Sequence, residues 1–129
     1  MDRPGMMRAP LPNIGPRGCR RRRTMAWVWL ALGIAVVAVL AVLGAPIFWY
    51  GLTAIPFFLG ALGFFQAREQ TCVFFAAVGQ RDLDEGAEPI ADPEALSRVR
   101  SQASKVWVLT VIATVGLVTL MLLIAAFVA

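Results

Sequence analysis

Histidine is absent from this sequence, and cysteine occurs at only two of its 129 positions, Cys19 and Cys72. Histidine is the commonest metal ligand and the usual general base near neutral pH, so the side chain on which both roles most often depend is missing. Two cysteines form no disulfide framework, and neither has a histidine partner that would activate it as a nucleophile. We therefore expect no catalytic residue, cofactor or metal, and we expect that the protein is not an enzyme.

Charged residues are also scarce, at 16% of the sequence, whereas they form about a quarter of an ordinary globular chain. Thr24–Ala67 is a run of 44 residues without a charged side chain. A helix needs about 20 apolar residues to cross a bilayer, so the run has room for two crossings. Gly44–Pro46 interrupts the run with the two residues that break helices. The pattern predicts a hairpin of two transmembrane helices, over residues 25–43 and 47–65.

A third apolar run, Val106–Ala129, is rich enough in Leu, Ile, Val and Phe to make membrane insertion favourable by several kcal/mol. Upstream of it, Asp92 is a good N-cap, Pro93 suits the first helical position and Glu94 suits the positive end of the helix dipole. No glycine or proline follows before the apolar run. We predict one long helix over residues 93–128 whose second half spans the membrane.

These features predict an all-α integral membrane protein with three transmembrane helices. Its four segments are a disordered basic tail (1–23), the transmembrane hairpin (24–67), a partly helical cytoplasmic segment (68–105) and the third transmembrane helix (106–129). The tail prediction depends on four prolines before Arg23 and on the lack of any apolar periodicity there.

Two stretches of the segment 68–105 need separate interpretation. Thr71–Val78 is apolar but too short to span a bilayer as a helix. Either it continues as a helix beyond the membrane or it bends and lies in the interface, and we expect a helix in both cases. The acidic stretch that begins at Asp82 lacks the calcium-loop pattern, because Gly86 stands at the fifth position and Pro93 at the twelfth. We therefore interpret that stretch as a solvent-exposed turn.

The distribution of cations predicts the orientation in the membrane. All twelve Lys and Arg residues lie in the tail and in the segment 68–105, and the Gly44–Pro46 turn has none. Loops rich in Lys and Arg stay in the cytoplasm. We expect a cell-membrane protein, of a bacterial inner membrane by its arginine-rich and alanine-rich composition, with the amino terminus cytoplasmic and the carboxyl terminus on the outer face.

Two sets of residues are expected to contact the membrane surface. Arg20–Arg23 stands directly against the first apolar run and is expected to bind anionic lipid headgroups; the acidic residues Asp82, Asp84, Glu85 and Glu88 are its intramolecular competitor, and no nucleic acid is expected. Aromatic residues are enriched where lipid meets water. The expected interface anchors are Trp27, Trp29, Trp49, Tyr50 and Trp107.

Small residues and helix breakers suggest further contacts within the spans. Ala31, Ala35, Ala38 and Ala45 form a stripe that would let another helix approach closely. The stripe is either a dimerisation face or a contact with the second or third helix of the same chain, and the intramolecular contact is the favoured interpretation. Pro56 is expected to kink the second helix, whose glycines would suit either a substrate path or ordinary packing.

The heptad Ser101–Trp107 leads a polar loop into the last apolar segment. Two apolar segments around a polar loop that ends in this heptad resemble the CD225/dispanin pattern. The cysteine pair that this family carries in its first segment is absent, and the present chain has an additional helix before the pattern. The resemblance covers the heptad and the general layout, and it carries over no functional residue.

The expected function follows from what the spans contain. No charged residue lies inside any of the three, and proton relays, pumps and voltage sensors usually need one. We expect a small accessory or regulatory protein that acts through helix–helix association, either with another membrane protein or with further copies of itself. The alternative is a small transport or pore-forming protein that works as an oligomer.

Overall fold

The computed structural model describes residues 11–128, and helices account for 78% of these residues. Three stretches are long and apolar enough to cross a membrane, as an all-α membrane protein requires. A short two-stranded antiparallel sheet departs from the all-α prediction. In chain order the elements are α1 (Pro16–Leu43), a 3₁₀ segment (Ile47–Thr53), α2 (Ala54–Arg68), α3 (Val73–Val78), β1 (Gln80–Asp82), β2 (Ala87–Pro89) and α4 (Pro93–Val128).

Helix α1 begins nine residues earlier than predicted. Its first residue is Pro16, preceded by an extended Gly15, so Arg20–Arg23 is helical. Proline is favoured at the first helical position and arginine is a good helix former, which explains the early start. The prediction of a disordered tail is therefore wrong for residues 11–23, while residues 1–10 lie outside the described part. The helix ends at Gly44, whose φ of 65° is left-handed and whose N–H bonds the preceding turn.

The second arm of the hairpin changes helix type just before Pro56. Pro56 falls in the first turn of α2, where backbone N–H groups have no partner within the helix, so the missing N–H costs nothing. The kink predicted at this proline stays a prediction. The 3₁₀ segment in front of α2 rises about 2.0 Å per residue against 1.5 Å in an α-helix. It therefore lengthens this arm by about 3–4 Å.

Helix α4 matches its prediction at both ends. It runs without interruption over 36 residues, from Pro93 to Val128. The Asp92 carboxylate accepts a hydrogen bond from the Glu94 N–H at 3.1 Å, and the Asp92 carbonyl accepts one from the Leu96 N–H at 3.0 Å. The prediction that Asp92 is the N-cap is confirmed.

Helix α2 lies between α1 and α4, which barely touch each other. Glycines make the α1–α2 contact close: a Cβ at Gly63 would lie 2.9 Å from the Arg22 carbonyl oxygen, and a Cβ at Gly33 would lie 2.6 Å from the Phe57 ring. On the other side of α2, the Phe58 ring stacks on Trp107 with centroids 6.1 Å apart. The glycines of α2 are therefore packing residues.

The face of α1 that packs is not the alanine stripe. Ala26 and Gly33 are buried against α2, whereas Ala31, Ala35 and Ala38 are exposed on the opposite side of the helix. The prediction that the stripe packs within the chain is therefore wrong for these three alanines. Glycine permits a closer approach than alanine does, and Gly60 and Gly63 of α2 select the other face.

The amino-terminal end of α1 adjoins a small folded unit, which we call the cap: Leu11–Gly15, Glu69–Asp92 and the first turns of α4. Its apolar core consists of Ala76, Ile90, Val99 and Ala103. The hairpin of β1 and β2 pairs Arg81 with Glu88, and α3 lies against α4. Thr71–Val78 is thus mostly helical, as expected, in a segment that folds against the end of the bundle.

Candidate functional site

The described residues hold no metal centre: between residues 11 and 128, no three His, Cys, Asp or Glu side chains are grouped so as to bind an ion. Cys19 is half-buried, Cys72 is buried, and both are free thiols. The candidate functional surfaces are therefore the basic end of α1, the cap beneath it and the exposed faces of the spans.

Arg20–Arg23 forms a collar around the first turns of α1. Successive residues of an α-helix point about 100° apart, so four consecutive arginines surround the helix. Arg20, Arg21 and Arg23 are exposed, and the guanidinium of half-buried Arg22 donates to the Gly18 carbonyl at 3.2 Å. Within residues 11–128, none of the four is paired with a carboxylate. The collar thus exposes cationic side chains over much of the helix circumference.

Three of the four acids in the predicted competitor for this collar, Asp82, Asp84 and Glu88, are engaged elsewhere. Asp84 accepts a hydrogen bond from the Arg17 backbone N–H at 3.0 Å and so caps α1, where Gly15 has no side chain to do so. The Asp82 carboxylate accepts from the Asp84 and Gly86 N–H groups inside the turn, and Glu88 pairs with Arg81 at 2.8 Å. These acids organise the cap instead of neutralising the collar.

Asn13 ties the start of the described chain to the loop after α2. Its side-chain amide bonds both backbone groups of Cys72, as a neighbouring strand would: Oδ1 accepts from the Cys72 N–H at 2.6 Å, and Nδ2 donates to the Cys72 carbonyl at 3.1 Å. Its backbone N–H donates to Gln70 and its carbonyl accepts from Asp82. Asn13 is fully buried, so these bonds satisfy polar groups that are shielded from water.

Gln102 fastens the same segment to α4. Its side-chain oxygen accepts from the Leu11 N–H at 2.7 Å, and its nitrogen donates both to the Leu11 carbonyl and to the Thr71 hydroxyl at 2.8 Å. Gln66 accepts from the Val73 N–H at 3.1 Å and so holds the start of α3. Sequence reasoning missed all three amides, although a glutamine on the otherwise apolar side of α4 was a visible signal.

A buried acid, Glu69, forms an ion pair between the end of α2 and α4. Glu69, at the end of α2, is 7% exposed, and its carboxylate lies 3.5 Å from the Lys105 Nζ. Lys105 immediately precedes the apolar run of α4. This ion pair places both charges at the end of the apolar run of α4.

The expected interface anchors divide into two groups. Trp27 is 66% exposed, and Trp49 and Trp107 are each a little under half exposed, so they are positioned as surface residues. Trp29 is half-buried. Tyr50 is 5% exposed and lines a small apolar cavity between the ends of α1 and α4, beside Ala41, Ala45, Ala125 and Ala126. Its ring contacts protein, which does not fit the role of a lipid-facing anchor.

Comparison with protein-family models, with curated proteins and with solved structures gives no match for this chain. The resemblance to the CD225/dispanin pattern therefore has no support beyond the residues that suggested it.

Proposed function

We propose that the protein is a three-span protein of the cell membrane that acts as an accessory or regulatory partner through helix–helix association. The observation that carries this proposal is the layout of the bundle. Helix α2 is enclosed by α1 and α4, while each outer helix leaves a long apolar face open. A helix with one side packed in its own chain and one side open is suited to bind lipid and a second helix.

The open side of α1 is the better candidate for a partner helix. Ala31, Ala35 and Ala38 are exposed there, on the side opposite Gly33. Between helices in lipid, the gain comes from close backbone approach, which small residues permit. The partner is another membrane protein or a second copy of this chain.

Orientation and lipid binding complete the proposal. The collar and the cap lie in the cytoplasm, and the Gly44–Pro46 turn and the end of α4 lie at the outer face, because cation-rich segments stay inside. Each collar arginine near an anionic leaflet gains about 1 kcal/mol. No carboxylate within residues 11–128 pairs with the collar, which supports this lipid contact.

Cross-linking in native membranes tests the association face. In a background without the two native cysteines, Ala35→Cys is compared with Val37→Cys, which is half-buried on the packed side of α1. We expect cross-linked adducts, either homodimeric or with an identifiable partner, at residue 35 and none at residue 37. The absence of adducts at residues 31, 35 and 38 alike would refute association through this face. Ion flux through liposomes that contain only this protein would instead support the pore-forming alternative.

A further inference from the structure

Helix α3 presents an apolar face that nothing in the described chain covers. On its inner side, Ala76 packs into the cap core with Val99 and Ala103. On its outer side, Phe74 is 64% exposed and Val78 is 51% exposed. A phenylalanine so exposed is costly in water, since burying such a side chain is worth about 1.5–3 kcal/mol.

The level of α3 along the bundle follows from its neighbours. Phe75 lines a cavity together with Arg21 and Arg22 of the collar and with the carboxylates Asp82 and Asp84. Ala76 packs with Val99 and Ala103 of α4. These two residues precede Lys105 by six and two positions, so they lie about 9 Å and 3 Å from it along the helix axis, on the side away from the apolar run. The collar and Lys105 are the charges that bound the apolar runs. The polar layer of a leaflet is about 5–8 Å thick, so α3 lies at the depth of the headgroups.

Cations flank the exposed face of α3. Arg21 is exposed on the α1 side. On the α4 side, exposed Arg100 donates from Nε to the Ala76 carbonyl at 3.3 Å, close to the end of α3. An apolar face with arginines at its edges is the arrangement of helices that lie in the interface of anionic membranes.

We propose that α3 is an interfacial anchor. Phe74 and Val78 insert between the lipids of the leaflet at the collar end of the bundle, and Arg21 and Arg100 meet the headgroup phosphates. This arrangement rests on the proposed three spans, and it adds a fourth membrane contact that fixes the cap against the bilayer surface. It also explains why Thr71–Val78 is apolar although it is too short to span.

Site-directed spin labelling tests the proposal in vesicles that contain anionic lipid. Labels at Phe74→Cys and Val78→Cys, without the native cysteines, are compared with Glu85→Cys in the exposed turn of the cap and Val111→Cys in the span. Oxygen concentrates in the apolar layer and a nickel chelate stays in water. We expect the ratio of oxygen to nickel accessibility at residues 74 and 78 to exceed that at residue 85 roughly tenfold, and to stay below that at residue 111.

The other outcomes separate the two proposals. A ratio at residue 74 equal to that at residue 85, with residue 111 still deep, overturns the interfacial anchor and leaves the spans intact. Exclusion of both reagents from residue 74 means that protein covers the face, which also overturns the anchor. An aqueous label at residue 111 refutes the three-span arrangement itself. Each labelled variant is first compared with the unlabelled protein for helical content, so that a misfolded variant is recognised.

Discussion

Gly63 is the most sensitive contact of the α1–α2 interface. A Cβ at this position would lie 2.9 Å from the Arg22 carbonyl oxygen and 3.5 Å from the Ala26 Cβ, whereas ordinary contacts are 3.4–4 Å. The carbonyl belongs to the backbone of α1, so it cannot rotate out of the way. For Gly63→Ala, α1 and α2 must move apart by about half an ångström, and overpacking of this kind costs about 1–3 kcal/mol.

Gly116 in α4 provides the matched control, because nothing lies within 4 Å of a Cβ placed there. Both glycines are helical, so replacing either with alanine brings the same gain in intrinsic helix propensity, at most about 1 kcal/mol. The difference between the two variants cancels this gain and isolates the interhelical contact. We expect Gly63→Ala to have a free energy of unfolding about 1–3 kcal/mol lower than that of Gly116→Ala.

The assay is unfolding in mixed micelles by titration with a denaturing detergent, followed by tryptophan fluorescence. Two of the four tryptophans, Trp27 and Trp29, lie on α1. With Trp49 and Trp107 replaced by phenylalanine in every variant, the emission reports when this helix separates from α2. If the two variants unfold within about 0.5 kcal/mol of each other, Gly63 does not face α1 at the observed distance, and the reasoning from close approach fails.

Three further predictions concern the cap. Asn13→Ala leaves the Cys72 N–H buried without its partner, while the Cys72 carbonyl keeps the bond from the Ala76 N–H; we expect a loss of about 1–3 kcal/mol together with faster alkylation of Cys72, and unchanged alkylation would contradict this. Asp84→Ala removes the side-chain hydrogen bond to the first turn of α1, at a cost of about 1 kcal/mol, and amide exchange at Arg17 should accelerate about fivefold. Asp84→Asn should keep most of the protection of this amide. Asp92→Ala should cost about 1 kcal/mol at the start of α4 and leave membrane insertion unchanged, as measured by amide exchange and by membrane fractionation.

Local signals explain what the sequence could predict. The spans follow from long runs without charge, and both ends of α4 follow from residues adjacent to them, such as Asp92 and Pro93. The start of α1 does not follow from the sequence, because four prolines within 23 residues are typical of a disordered tail, whereas Pro16 is also a good first residue of a helix. Local composition alone does not separate these two interpretations.

The cap could not be predicted because its contacts are distant in sequence. Asn13 bonds Cys72 across 59 positions, and Gln102 bonds Leu11 across 91. Asn and Gln side chains that hydrogen-bond backbone groups have no regular spacing in the sequence, so the hydropathy pattern does not predict them. Which face of α1 packs within the chain also depends on α2. The alanine stripe has the spacing of a helix–helix contact, but this spacing does not tell which helix, if any, lies against it. The packed face is the one on which Gly33 of α1 meets Phe57 and on which Gly60 and Gly63 of α2 meet α1.

The continuity of α4 makes it a lever. Because no glycine or proline lies between Pro93 and Lys105, this stretch moves as a rigid arm of about 20 Å below the spanning half. Transmembrane helices adjust their tilt when bilayer thickness changes. A tilt of about 10° displaces the far end of such an arm by about 3 Å, roughly the length of a hydrogen bond. Gln102 and Val99 lie nearer to Lys105, about 5 Å and 9 Å along this arm, so the same tilt displaces them by about 1–2 Å. We therefore expect a change in bilayer thickness to alter the bonds that hold Leu11 and α3.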